Sequence, residues 1–279
     1  MKKIKVFTLI IVLLSLHNAF SQQAAKDFVM RQFDTATCDK VYLIVTDRVL
    51  YANESLNLIE NFNDLDSSTQ ANLLKEYQII GKKPLDSILI ATFKNELISK
   101  LQYLGIKVIQ TPADSLPDSL DARSHTLNIK QLEIEEFIAE DSISYYENDT
   151  AKYVYRKALN GVRFNAWFFY NEKDTANSLT LFCNEAITDD FQGNITMGKG
   201  NKPVVSYSLT RINPNDTYVI AKETGRESAI CFFNLLLNKY VFNKTDGEDR
   251  HYYGIDLKSG NILMDNEPFD NFDVLETEQ

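Results

Sequence analysis

Apolar residues at Ile90, Phe93, Leu97, Leu101 and Leu104 recur every three or four positions, the spacing that lines up side chains on one face of a helix. Pro84 suits the first turn, where its missing N–H is not needed, and Gly105 supplies a left-handed C-terminal cap. The apolar run Ile106–Ile109 comes directly after it and reads as a strand. Upstream, Val41, Leu43 and Val45 alternate with Tyr42, Ile44 and Thr46, and both sets are largely apolar, so a central strand covered on both faces is expected. The polar stretch 51–83 holds a short helix, Thr69–Ile80, with Leu73, Leu74 and Tyr77 on one face, and reads as an insertion on the rim.

Downstream of the Pro- and Asp-rich loop 111–124, His125–Ala139 reads as a strand. Its apolar positions shift from odd to even at Lys130-Gln131, which predicts a β-bulge there. Val162–Tyr170 and Leu179–Ile187 form a hairpin with a long loop, Phe164, Phe168 and Tyr170 pointing one way and Trp167 and Phe169 the other. Val204–Leu209 and Thr217–Ile220 flank Asn213-Pro214-Asn215-Asp216 and read as a further hairpin. A second amphipathic helix is expected from Gly225 to about Tyr240, with Ala229, Phe232, Phe233, Leu236 and Tyr240 on its apolar face. Tyr252–Met264 closes as a hairpin around Ser259-Gly260.

This order of elements predicts an α+β fold: a two-layer sandwich in which two amphipathic helices cover a mainly antiparallel sheet. The expected layout is a signal peptide over 1–21, a polar leader over 22–37, one domain over 38–264 and an acidic tail over 265–279. The polar stretch 140–160 leaves room for a sub-boundary.

The N-terminus sets the address. Met1–Lys5 is basic, Val6–Leu16 is apolar apart from Thr8 and Ser15, and Ala19-Phe20-Ser21 offers the small residues a signal peptidase reads. The apolar run is too short to span a bilayer, which takes about 20 residues. Cleavage after Ser21 removes three lysines and no acid, taking the formal charge from −10 to −13. Binding to polyanions, nucleic acid included, is thereby disfavoured. No later stretch is apolar enough to cross a membrane, so export to the periplasm or the outer membrane is expected, with no transmembrane segment in the mature chain. The tail acids Asp265, Glu267, Asp270, Asp273, Glu276 and Glu278 have no base among them and read as a solvated segment. Cys38, Cys183 and Cys231 lack CxxC spacing; three small buried side chains is the simpler reading, and Cys183–Cys231 is the candidate disulfide because both lie in regular elements.

Catalytic chemistry has little to draw on. After the signal only His125 and His251 remain, in no metal-binding spacing, and there is no GxSxG elbow. Gly198-Lys199-Gly200 lacks phosphate-loop spacing. Glu135-Glu136 and Asp189-Asp190 are the candidate acid–base pairs, since buried paired carboxylates split their pKa values. No cofactor or metal is implied. Trp167 and Tyr170, with Phe182 across the hairpin, are candidates for stacking on a sugar, against the simpler reading of core aromatics.

One triplet exceeds chance. Asp, then Ser or Thr, then a small or aliphatic residue occurs at Thr35, Ser87, Ser115, Ser119, Ser142, Thr150 and Thr175, where this composition would give about one by chance. It is similar to the O-glycan acceptor motif of one group of Gram-negative bacteria. Ser115, Ser119, Thr150 and Thr175 fall in expected loops and are the better candidates, while Asp-Ser at Ser87 also suits a helix start.

The first strand, the passage Ala91-x-Phe93-x-x-x-Leu97-x-x-x-Leu101-x-x-Leu104-Gly105-Ile106-x-Val108, the strands after it and the late helix resemble the auxiliary lipoproteins of ABC transport and lipopolysaccharide export, over roughly 41–242. The resemblance implies a helix-covered sheet that holds or plugs a larger machine without catalysis. The chain departs from that pattern in lacking a lipid-bearing Cys, in the insertion at 51–84 and in the acidic tail. The leading expectation is a non-enzymatic envelope protein that binds a protein partner. The alternative is a carbohydrate-binding module using Trp167 and Tyr170, and the third is a hydrolase using Asp189 or Glu135.

Overall fold

A computed structural model describes residues 38–55, 62–76, 80, 86–112, 115–117, 120–147, 150–171, 178–242, 252–265 and 273–275. The expected signal and leader, Pro84 and His251 lie outside them. The described elements are β1 (Lys40–Val45), β2 (Leu50–Asn53), α1 (Ser67–Glu76), α2 (Asp86–Tyr103), β3 (Lys107–Gln110), β4 (Ser124–Glu147), β5 (Thr150–Tyr170), β6 (Leu179–Thr188), β7 (Asp190–Met197), β8 (Pro203–Thr210), α3 (Asp216–Phe242), β9 (Tyr252–Asp256), β10 (Asn261–Asp265) and β11 (Asp273–Leu275). The fold is α+β. Its main sheet is mixed and runs β11-β6-β5-β4-β1-β3, with β2 also paired to β4. Parallel pairing is confined to one side: β1 lies parallel to both β3 and β4, and β2 parallel to β4. A strand reached through a crossover helix returns parallel, which is how α2 sets β3 beside β1.

Helix α2 buries Leu89, Phe93, Leu97 and Leu101 completely. Leu89 takes the inward place expected for Ile90, which flanks the stripe with Leu104. Gly105 has φ +87°, and the Ile106 and Gly105 amides donate to Leu101 O at 2.9 Å and Gln102 O at 3.0 Å. That pair of bonds is the Schellman C-cap. Both long helices pack on the face of β5 that carries its even-numbered residues. The Phe93 ring of α2 lies 5.7 Å from Phe164 and 6.3 Å from Phe168, and Phe232 of α3 lies 5.8 Å from Tyr170.

Helix α3 is where the sequence expectation fails most. Thr217–Ile220 belongs to the helix, not to a strand, and Gly225 lies inside it instead of opening it. Asn213-Pro214-Asn215-Asp216 is a capping box: the Asn213 amide donates to Asp216 Oδ2 at 2.8 Å, and the Asn215 amide donates to Asn213 Oδ1 at 2.9 Å. Pro214 then sits in the first turn, where proline is favoured. The strand paired with β8 is instead β7, from Asp190↔Thr210 to Met197↔Pro203. At the far end Asn234 and Asn238 hold β9: the Ile255 and Tyr253 amides donate to their side-chain oxygens at 3.0 and 2.8 Å.

The bulge expected at Lys130 is present. Ile129 pairs with Phe168 and Gln131 with Trp167, leaving Lys130 as the extra residue. The hairpin of β5 with β6 and the hairpin of β9 with β10 around Gly260, φ +66°, are also present. Residues 140–147 and 150–160, where the polar composition leaves room for a boundary, run as continuous paired strands. β7 packs on this ribbon, and a Cβ on Gly193 would lie 2.8 Å from Ile143 Cδ1.

Four further expectations need correction. β1 buries Val41 and Leu43, whereas Tyr42, Ile44 and Val45 are only half-buried, so it is covered mainly on one face. Helix α1 begins at Ser67, two residues early, because Asp66 Oδ1 accepts the Ser68 and Thr69 amides at 3.0 Å each. The tail is not wholly solvated: Asp273-Val274-Leu275 pairs antiparallel with Phe182, Leu181 and Thr180 at the sheet edge. All three cysteines are free, so Cys183 and Cys231 are buried thiols without a disulfide.

A glycine inside a helix costs about 1 kcal/mol relative to alanine. A Cβ on Gly225 would sit 2.4 Å from Phe93 O and 3.3 Å from Leu97 N, so the two helices touch backbone to backbone there. Gly225→Ala is therefore expected to lower stability by about 1–3 kcal/mol in spite of its better helix propensity, read from the denaturant midpoint.

Candidate functional site

Because side chains alternate along a strand, the odd-numbered residues of β5 point away from α2 and α3. On this face Trp167 and Phe182 are half-buried cross-strand partners, with ring centroids 4.9 Å apart and planes tilted by 51°. Beside them stand Gln131, paired to Trp167, and Phe169, whose ring centroid is 5.5 Å from Lys130 Nζ. Asn184 of β6 is exposed next to the pair. Further along, the Arg163 guanidinium lies 4.7 Å from the Phe137 ring, which covers Gly161 so closely that a Cβ there would meet it at 2.4 Å.

Tyr170 is on the other face. It is fully buried, and its hydroxyl meets His125 Nδ1 at 2.9 Å while the two rings stack at 5.6 Å. Trp167 and Tyr170 therefore do not form one stacking surface: three residues apart on a strand, they point in opposite directions. The residue that shares the Trp167 face is its half-buried cross-strand partner Phe182.

The candidate carboxylate pairs are split in the same way. Glu135 faces the Trp167 side, where Oε1 accepts from Arg163 Nη1 at 2.9 Å and Oε2 from Asn165 Nδ2 at 2.8 Å. Glu136 faces the opposite side and accepts from Asn53 Nδ2 at 3.0 Å and the Ile80 amide at 2.9 Å. Asp189, 2 % exposed, accepts from the Asn160 amide at 3.1 Å, the Ile212 amide at 3.0 Å and Arg211 Nη1 at 2.7 Å, while Asp190 is exposed. Three donors on Asp189 tie the end of β6 to β5 and to the lead-in of α3.

Glu135 does meet a second carboxyl, one that sequence neighbours do not reveal. The hydrogen bond between Glu54 and Glu135, with the repulsion between them, holds Glu54 above the usual carboxylate value. Asn165, paired across β4 with Glu133, is 3 % exposed and donates to Glu133 Oε1 as well, at 3.3 Å. Its Oδ1 is buried without a partner. Among the described residues no group of three or more His, Cys, Asp or Glu is arranged to hold a metal ion. No helix among them is long and apolar enough to cross a membrane.

The bulge also opens a cleft. β1 pairs with β4 as far as Ile129, and β2 takes up the pairing at Glu133. In the interval Thr46, Arg48, Leu50, Lys130, Gln131 and Leu132 line a solvent-open cleft of ≈ 220 Å³. Two of its residues, Lys130 and Gln131, also border the aromatic face.

Of the candidate glycan acceptors, Ser115 is exposed in its loop and Thr150 is exposed at the start of β5. Ser87 and Ser142 are exposed on α2 and β4. Thr35, Ser119 and Thr175 lie outside the described residues.

No family model matches the chain, and no curated protein matches it. Among solved structures the chain is similar to one described as a neuraminyllactose-binding hemagglutinin homolog from Helicobacter pylori, at 12% identity and a TM-score of 0.31, over 73% of this chain and 88% of that one. A likeness that slight does not bear on function.

Removing one partner from a buried charged network leaves the others unsatisfied, at a cost of about 3–5 kcal/mol. Asp189→Ala is therefore expected to lower stability by about 3 kcal/mol, whereas Asp190→Ala should stay within about 0.5 kcal/mol of the parent in the same denaturant titration.

Proposed function

We propose that this chain is an exported, non-enzymatic protein of a Gram-negative cell envelope, built as a two-layer frame and acting as a binding or accessory component of a larger assembly. One observation carries the reading. Glu135, Glu136 and Asp189 are committed to structural hydrogen bonds, while the aromatic pair Trp167–Phe182 is left half-exposed on the face away from α2 and α3. Aromatic side chains with a polar surround are what interface centres are made of. Export is supported by Lys2, Lys3 and Lys5 ahead of Val6–Leu16 and by Ala19-Phe20-Ser21. Ser115 and Thr150, both accessible, are the acceptors we propose for O-glycan addition.

A carbohydrate-binding role is the second reading, favoured by the surround of that same pair. Gln131, Asn184 and Glu133 place amides and a carboxylate beside the indole, the mixture of apolar face and polar edge that sugar recognition uses. Trp167 and Phe182 would carry it. The hydrolase reading retains only the Glu54–Glu135 contact, and Glu135 is already bonded to Arg163 and Asn165.

Capture of the crosslinked chain from an envelope fraction should return a reproducible protein partner, and Trp167→Ala should cut its recovery by about tenfold, as expected for a hot-spot aromatic, with the circular dichroism spectrum unchanged. No reproducible partner, together with glycan-array binding abolished by Trp167→Ala, would replace the first reading with the second.

A further inference from the structure

The cleft beside the bulge has a chemistry of its own, and it deepens the saccharide reading, on which it rests. The protein is acidic, with a formal charge of −10, yet the two ionisable residues lining this cleft are both cations, Arg48 and Lys130. They come from different segments, Arg48 from the link between β1 and β2 and Lys130 from the bulge of β4. The bulge is what brings Lys130 here. The extra residue sets Lys130 and Gln131 side by side on the aromatic face, with the ammonium over Phe169 and Gln131 next to Trp167. Thr46 and Gln131 add neutral hydrogen-bonding groups, and Leu50 and Leu132 complete the lining. A space of ≈ 220 Å³ is smaller than sites for drug-sized ligands and suits one substituent or one ring.

We propose that this cleft is the anion subsite of an acidic saccharide, whose ring lies on Trp167 and Phe182 and whose carboxylate or phosphate group is held by Arg48 and Lys130. A guanidinium pairs with either anion through two parallel hydrogen bonds, and the ammonium adds a point charge. Glu133, hydrogen-bonded to Gln131 at 3.3 Å, is not among the residues lining the cleft and accepts from neutral hydroxyls of the sugar. If Arg48 and Lys130 take no part in binding, a neutral sugar and its acid bind alike.

The chain has a single tryptophan, so its fluorescence reports on this face alone. Titration of the purified full chain with glucose, glucuronic acid and glucose 6-phosphate separates the two anion sources. At least one acid is expected to shift Trp167 emission saturably with a Kd about tenfold or more below that of glucose, as a charge-assisted pair provides, and the advantage should shrink as salt rises. Arg48→Gln and Lys130→Gln, both at exposed positions, should each reduce that advantage by about three- to fivefold. Equal affinity for glucose and both acids, or an acid advantage untouched by both variants, would overturn the anion subsite while leaving the saccharide reading in place. Silence of all three sugars in fluorescence and in calorimetry would overturn both.

Discussion

The structure depends on the backbone contact between α2 and α3 at Gly225. Two helices can share the same stretch of β5 only if their axes come close, and the missing Cβ at this position allows Phe93 O and Leu97 N to come that near. The residues around it on α3 are small and buried, Ala221, Thr224, Ser228 and Ala229, and the Thr224 and Ser228 hydroxyls donate to Ile220 O at 2.8 Å and Thr224 O at 2.6 Å in their own helix. Polar groups so satisfied can be buried without a stranded donor. With the helices this close, Phe93 and Phe232 both reach the β5 aromatics, and the core closes around Phe164, Phe168 and Tyr170.

The bulge at Lys130 links that core to the opposite face. Without an extra residue, a strand that buries Leu127 and Ile129 would next bury Gln131 and Glu133; with it, Leu132 and Ile134 turn inward. The same displacement hands Gln131, Glu133 and Glu135 to the other side, beside Trp167, Asn165 and Arg163. It also falls where β1 ends and β2 begins, so one irregularity sets the register of the core, the composition of the exposed face and the cleft at its edge.

These features are legible in the sequence to different degrees. The stripe of α2 and its glycine cap are readable because helix period and cap chemistry are local, and the bulge because a change of parity along one strand leaves its mark in the order of residues. The start of helix α3 is ambiguous because Asn-Pro-Asn-Asp fits both a turn and a capping box, and the residues after Asp216 must decide between them. Thr217-Tyr218-Val219-Ile220 is rich in β-formers, but Thr217 and Ile220 are buried as helical residues, and packing overrides propensity. The helix also carries apolar groups on more than one side, since it meets α2, β5, β6 and β9, so no single stripe marks its length. At the candidate site the sequence separates Trp167 from Phe168 by parity, yet pairing Trp167 with Tyr170 across three positions is something a strand cannot do. The cross-strand partner Phe182 and the Glu54–Glu135 contact depend on pairings between distant segments, and adjacency in the chain says nothing of those.

The division of the acidic residues comes from the same alternation. Adjacent carboxylates on a strand are sent to opposite faces, and each buried one must then find donors on its own side: Glu136 takes Asn53 and the Ile80 amide, and Glu135 takes Arg163 and Asn165. A carboxylate that accepts two or three such bonds is fixed in place, which suits it to pin β2 or the lead-in of α3. On the Trp167 face the half-buried Trp167 and Phe182 stand beside the exposed Asn184 and Lys130, with Gln131 and the carboxylate of Glu133 half-buried next to them. Groups of that kind recognise shape, hydroxyls and negative charge. The hydrogen-bonding capacity of the buried acids has gone into holding the sheet together, and the half-exposed aromatic pair lies on the face away from α2 and α3.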